Sequence, residues 1–252
     1  MTTYTHGHQE SVLRSHRWRT AGNSASYLLP HLRPGMTLLD VGCGPATITA
    51  DLAATCDVSV VGVDPSASVI DEARADFPWL DLRVGDVFSL EGSYDVVHAH
   101  QVLQHLSDPV GALRVMRGLG DVVAARDSDY PAFVWSPSSP ALDRWREIYL
   151  AVTRANGANA DAGRHLLRWA REAGSDDVTY TTSTWTFASP SDRAWWCGLW
   201  ADRCVASSFA EQAVAYGIST VDELHAVAEG WRAWGEDERA VFVVLHGEII
   251  CR

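Results

Sequence analysis

The run Leu38-Leu39-Asp40-Val41-Gly42-Cys43-Gly44-Pro45-Ala46-Thr47 leaves few folds open to this chain. A short apolar stretch from Met36 to Val41 ends at a glycine and reads as a buried strand. Gly42 and Gly44 can turn the backbone sharply, and without a Cβ they let another group approach the main chain closely. Pro45 suits the first turn of a helix, expected from Pro45 to Ala54, because the N–H it lacks would be unpaired there in any case. The remaining free N–H groups of that first turn would face whatever sits against the glycines.

The same rhythm continues. Val58 to Val63 is a second apolar strand, and Leu80 to Val84, Tyr94 to Ala99 and Val122 to Ala125 are the third, fourth and fifth strands. Helices are expected between them, through Val69, Ile70 and Ala73, and through Val110, Leu113 and Met116 after the cap Ser107-Asp108-Pro109. Strands alternating with helices mean a parallel sheet with right-handed crossovers. Upstream, residues 8 to 32 carry apolar and small residues at helical spacing as far as the stop Arg33-Pro34-Gly35. Downstream, Pro131, Pro137 and Pro140 break the pattern. Helices resume over Leu142 to Asn156 and Ala162 to Ala173, and Val178 to Phe187 alternates as a strand. A helical block from 191 to 234 follows, and Val241 to Ile250 is the last strand.

At 252 residues, with 47% hydrophobic and 21% charged residues, the chain can bury one sizeable core. No apolar run is long enough to cross a bilayer, and Met1 to Glu10 lacks the apolar centre of a secretory signal, so the expected location is cytoplasmic, with no membrane partner. A formal charge of -12 opposes a nucleic-acid partner. The small basic cluster Arg14, His16, Arg17 and Arg19 reads either as a solvated helix face or as a local anion site. None of the five cysteines forms a CxxC pair and no Cys/His spacing suits zinc, so no metal is expected.

Three signals carry chemistry together. The glycine turn is the first. Asp64 ends the second strand about twenty residues on, where an acid binds ribose hydroxyls in dinucleotide folds. It could equally cap the helix after Pro65. Val84-Gly85-Asp86-Val87 ends the third strand, where Asp86 could accept from an exocyclic amine or simply make a turn.

Asp40-Val41-Gly42-Cys43-Gly44, Asp64, Gly85-Asp86 and Tyr94-Asp95-Val96-Val97 resemble the successive motifs of class I S-adenosylmethionine-dependent methyltransferases, within them the small-molecule branch related to ubiquinone and menaquinone biosynthesis enzymes. The resemblance is strong over roughly residues 10 to 130. It implies a Rossmann-like α/β fold: a seven-stranded, mostly parallel sheet, last strand antiparallel, helices on both faces and a helical, tryptophan-rich cap. It implies S-adenosylmethionine as cofactor and S-adenosylhomocysteine as product. Asp40, Gly42, Cys43 and Gly44 would lie along the methionine part, Asp64 with Pro65 at the ribose, and Gly85, Asp86 and Val87 at the adenine. His98 to Gln101, including Ala99 and His100, would pass beneath the sulfonium. Two departures stand out. Ala46 replaces the family's third glycine, and Gly118-Leu119-Gly120-Asp121 replaces its Pro-Gly-Gly turn before strand five. A nicotinamide or flavin fingerprint would want a glycine at Thr47.

His16-Arg17-Trp18-Arg19-Thr20 and Ser24 to His31 are similar to a subset of the family that includes fungal enzymes methylating dithiol natural products, in which the N-terminal segment closes over the cofactor. By that likeness Arg19, and less so His16, would meet the cofactor carboxylate, with Tyr4 or His8 reaching in from the end. His100 and His105 are the candidate catalytic residues, as base or orienter of a hydroxyl or thiol acceptor, against the plainer reading of packed histidines. Asp127 or Asp129 could hydrogen-bond a substrate or serve a polar loop. Nine of the 11 tryptophans fall between Trp135 and Trp234, as an aromatic lid over the substrate, as cap packing, or as both.

The chain is therefore expected to be one methyltransferase domain, 1–252, with an N-terminal helical lid (1–33), a cofactor-binding core (34–130) and a substrate cap with the terminal strands (131–252). The expected activity is methyl transfer to a small organic acceptor, with the protein a monomer or homodimer. The alternative is a protein of the same fold that binds the cofactor without transferring its methyl group.

Overall fold

The computed structural model describes residues 15–252. Tyr4, His8 and Arg14 of the sequence reading lie outside the described residues. Eight strands form one sheet: β1 (Thr37–Val41), β2 (Ser59–Asp64), β3 (Asp81–Val84), β4 (Tyr94–His100), β5 (Gly120–Ser128), β6 (Val134–Ser136), β7 (Val178–Phe187) and β8 (Val241–Cys251). The order is β3-β2-β1-β4-β5-β8-β6, with β7 on the other edge of β8. β1 to β5 are parallel, and β8 runs antiparallel to β5. The chain thus has eight strands where seven were expected. The extra one, β6, has three residues and lies between prolines that argue against a strand in the sequence. β8 is shared along its length: His246 to Cys251 pair with β5, and Val241 to Val243 pair with β6.

Among the described residues the helices are α1 (Ala21–Ser24), α2 (Thr47–Cys56), α3 (Ala67–Asp76), α4 (Pro109–Leu119), α5 (Pro140–Ala155), α6 (Ala162–Glu172), α7 (Pro190–Val205), α8 (Ser208–Ala215) and α9 (Val221–Gly235). None is long and apolar enough to cross a membrane. Asp108 caps α4 by accepting from Gly111 N, as its place before Pro109 suggests. The continuous helix expected up to residue 32 is broken: Thr20 caps a fresh start at α1, and Pro30 lies in a separate 3-10 turn, Leu29–His31. α2 starts at Thr47, two residues after Pro45. α4 passes straight into β5, so the strand begins at Gly120 without a longer turn. A Cβ at Gly120 would lie 2.6 Å from Val97 Cγ2, which a larger residue could not satisfy.

One face of the sheet packs α4 and α6 through residues such as Leu113, Met116, Leu166 and Trp169. The opposite face packs α1, the turn that follows it and α2 through Ala21, Ala25, Leu28 and Leu52. The helices α5, α7, α8 and α9 build a second core with the near half of β8, around Trp145, Trp200, Trp231 and Phe242. Two cores therefore meet above the carboxyl ends of β1, β4 and β5, where ligands bind in open α/β sheets.

Candidate active site

A cavity of about 550 Å³ opens at that meeting place, within the range of small-ligand sites. One end is walled by the glycine turn and by Asp64, Pro65, Ser66 and Asp86. The other is walled by Trp18, Tyr130, Phe133, Trp185, Trp195, Trp196 and Trp200. Arg19, His100, Gln101 and His105 line it between them.

At the glycine end, Gly42 and Gly44 have φ of 68° and 55°, which only glycine adopts freely. Gly42 N and Cys43 N both donate to Val63 O, tying the turn to β2. Among the described residues a Cβ on Gly44 would meet nothing nearer than His16 Nδ1 at 3.9 Å, so they leave this stretch of backbone bare. Asp64 accepts from Gly44 N at 3.1 Å and from Ser66 N at 2.9 Å. It thus braces the turn while facing the cavity. Asp86 is exposed and accepts from Phe88 N. Asp40 is buried, and both its oxygens are engaged: Oδ2 accepts from Thr49 and Oδ1 meets His98 Nδ1 at 2.8 Å. It touches the cavity wall but acts mainly as a pin between β1, β4 and α2. Ala46 lies fully buried with φ of 60°, the left-handed geometry that its glycine counterpart would take without cost.

At the middle, Gln101 directly follows β4 with φ of 54°, an uncommon backbone for a non-glycine residue. Its amide oxygen accepts from Arg19 at 2.8 Å, and its nitrogen donates to Ser128 Oγ at 2.8 Å and lies 3.0 Å from His246 Nε2. Gln101 therefore joins the N-terminal segment to β5 and β8. His100 lines the cavity, and neither ring nitrogen has a hydrogen-bond partner among the described residues. Burial, then the Arg19 and Arg126 charges, hold it well below the usual histidine range, so it is neutral. His105 is pushed down to about 3 by burial and by Arg19, and its Nε2 accepts from the Gln104 amide. A histidine this hard to protonate is a poor base at neutral pH.

Several sequence candidates lie elsewhere. Gly85, Val87, Ala99 and His98 do not line the cavity. Ala99 and His98 are fully buried in β4, and Val87 is the buried first residue of the 3-10 turn, Val87–Ser89, that Asp86 caps. Asp129 is held by Arg164 through two bonds of 2.6 Å. Asp127 lies behind the wall, where burial pushes its carboxyl up to about 8; its Oδ1 accepts from Gln104 N and so holds the turn bearing His105. The tryptophans divide. Trp185, Trp195, Trp196 and Trp200 face the cavity, whereas Trp135, Trp145, Trp231 and Trp234 fill the cap core. Trp18 joins the first group from the N-terminal segment, 5.2 Å from Trp185 and 5.3 Å from Trp195. Arg203 of α7 was not foreseen. It is 5% exposed, lines the cavity, donates to Ser15 Oγ at 2.6 Å and lies over Trp200. Nothing in the sequence distinguishes it from a surface arginine. Among the described residues no His, Cys, Asp or Glu cluster could hold a metal ion.

Residues 39–119 match the family model described as a methyltransferase domain. The chain is 29% identical to an uncharacterized methyltransferase of Schizosaccharomyces pombe, over 98% of this chain and 95% of that one. It is 33% identical to the O-methyltransferase cnsE of Penicillium expansum, over 54% and 51%. Among solved structures, the cyclopropane synthase MmaA2 of Mycobacterium tuberculosis superposes with a TM-score of 0.54 at 17% identity, over 99% of this chain and 90% of that one, a likeness of fold.

Proposed function

We propose that this chain, an S-adenosylmethionine-dependent methyltransferase of class I, methylates a hydroxyl or thiol of a small, flat, largely apolar acceptor. The observation that carries the reading is the bare glycine turn with Asp64 at one end of a cavity whose other end is aromatic.

The residues present fit the cofactor. Backbone open at Gly44 admits its amino-acid portion, and the start of α2, which has no side-chain cap, offers N–H groups beside it. Asp64 would accept from the ribose hydroxyls, and Asp86 from the adenine amine. Arg19, steadied by Gln101, would make a charge-assisted bond to the carboxylate. S-adenosylmethionine supplies an electrophilic methyl carbon on a positively charged sulfur. The chain's own work is alignment and exclusion of water: the aromatic wall fixes the plane of the acceptor, and the neutral His100 ring forms part of the wall beside it. The relative named as an O-methyltransferase supports an oxygen acceptor. His105, committed to Gln104, serves as wall.

The test is calorimetric titration with S-adenosylmethionine, S-adenosylhomocysteine and NADH, followed by a screen of phenols and thiols. Saturable binding of the first two alone, with methyl transfer to members of the screen, is expected. Binding of NADH in their place would refute the cofactor, and transfer to none of the phenols or thiols would refute the acceptor class.

A further inference from the structure

The connection between α5 and α6 crosses from the aromatic core to the sheet core. Gly157, with φ of 72°, turns the chain out of α5, and Ala158 N donates back to Thr153 O. At the other end α6 starts hard against the sheet: a Cβ on Gly163 would lie 2.8 Å from Asp127 O and 2.9 Å from Gly247 N. Ala162 N donates to Asn159 O, which ties Asn159 to that helix start. None of residues 156–161 lines the cavity, yet two of them hold residues that do. Asn159 N donates to Gln104 O at 2.7 Å, and Asn159 Nδ2 donates to Leu106 O at 2.9 Å. One residue thus grips the 3-10 turn Leu103–His105 on both sides of His105. A carbonyl can only accept, so the bond to Leu106 needs the amide and would be lost with a carboxylate. The next residue reaches a different part of the rim: Ala160 O accepts from Tyr130 N at 2.9 Å. His105 and Leu106 line the cavity, and Tyr130 belongs to its aromatic end, stacked 4.0 Å from Tyr149 of α5. Two consecutive residues therefore set how far the His105 turn stands from Tyr130.

We propose that Asn159 is a positioning residue for the acceptor: it fixes the His105 turn relative to Tyr130, and so sets the width of the cavity beside its aromatic end and the size of acceptor that is methylated. This rests on the methyltransferase reading above. The effect runs through Leu106 O. Without the Asn159 amide that half-buried carbonyl loses its partner, and the turn shifts to bring it to water. Gln104 N still donates to Asp127 Oδ1, so the β5 side of the turn keeps its anchor and the shift is confined to His105 and Leu106. The glycine turn and Asp86 wall the other end of the cavity, so cofactor binding is spared.

The experiment uses the whole protein and its Asn159→Asp and Asn159→Ala variants. Calorimetry first gives the affinity of each for S-adenosylhomocysteine, so a failure of the cofactor reading is seen separately. Both variants are expected to bind it as the parent does. Hydrogen–deuterium exchange of the saturated complexes should quicken in peptides covering residues 103–107 and not in those covering the glycine turn. That result is read without any acceptor, so it stands apart from a failure of the acceptor class. With phenol and the wider 2-naphthol as acceptors, the KM for phenol should rise about 2–10-fold, the worth of one hydrogen bond, with kcat little changed, while the KM for 2-naphthol holds or falls. The proposal is overturned if exchange over 103–107 is unchanged in both variants, if S-adenosylhomocysteine binding weakens in both, or if the KM values for the two phenols rise together.

Discussion

Gly42→Ala isolates what the glycine turn contributes to the fold, as distinct from what it contributes to binding. Gly42 has φ of 68°, and a Cβ there would lie 2.4 Å from Val102 Cγ2. The left-handed backbone alone costs an L-residue about 1–2 kcal/mol. Forcing Val102 aside adds an overpacking cost of about 1–3 kcal/mol. A combined loss of about 3 kcal/mol lowers the Tm of a chain this size by about 6–12 °C. Val102 follows the strained Gln101 and lines the cavity, so it has little freedom to move without disturbing the rim. Gly42→Ala combined with Val102→Ala removes the clash and keeps the backbone strain. A thermal or denaturant double-mutant cycle should therefore give a coupling of about 1–2 kcal/mol. Gly44→Ala is the companion. Its Cβ meets no close atom among the described residues, so it should cost only the backbone term and instead weaken S-adenosylhomocysteine binding, because its methyl group occupies that stretch. Additive losses in the Gly42/Val102 cycle, or Gly44→Ala binding as tightly as the parent, would refute the reasoning.

Three further outcomes are expected. Asp64→Asn should weaken S-adenosylhomocysteine about 10–100-fold in calorimetry, the worth of charge-assisted bonds of about 1.5–3 kcal/mol; unchanged affinity would leave Asp64 a structural part, through contacts such as those to Gly44 and Ser66. Asp127, with its folded pKa raised to about 8, binds a proton in the folded state that the unfolded state has already released. Its contribution is therefore complete below about pH 4 and is lost as pH rises to 8, so Asp127→Asn should flatten that fall in urea-unfolding stability; an unaltered slope counts against the assignment. Trp18→Ala should raise the KM for a phenol acceptor more than it weakens S-adenosylhomocysteine, since Trp18 packs on Trp185, Phe187 and Trp195; equal effects would make Trp18 a general brace.

The parallel half of the sheet was legible because each strand is an apolar run ended by a turn, and the period of such runs survives any tertiary context. β5 was read too short for a physical reason. Arg126, Asp127 and Ser128 look like a polar rim, yet they are buried because β8 and its Glu248 lie alongside. Only the pairing of distant residues makes a strand of them. The same limit hid Arg203. Helical periodicity says that a face of α7 is buried, and does not say that a cavity lies beneath it. The tryptophans show the limit from the other side: their number signalled an aromatic cap, but the division between Trp196 on the cavity and Trp231 in the core is a matter of three-dimensional position.

The shared strand β8 sets the order in which this protein can be born. Ribosomes deliver the chain from its N-terminus at about 5–20 residues per second. The open edges of β5, β6 and β7 and the aromatic core around Phe242 all wait for residues 241 to 251. Until those residues emerge, the nascent polypeptide carries three strands that lack their β8 partner and a half-built aromatic cluster, the surfaces most prone to self-association. Expression yield should therefore respond to chaperone supply and to any slowing of translation between β7 and β8 more than the stability of the finished fold would suggest.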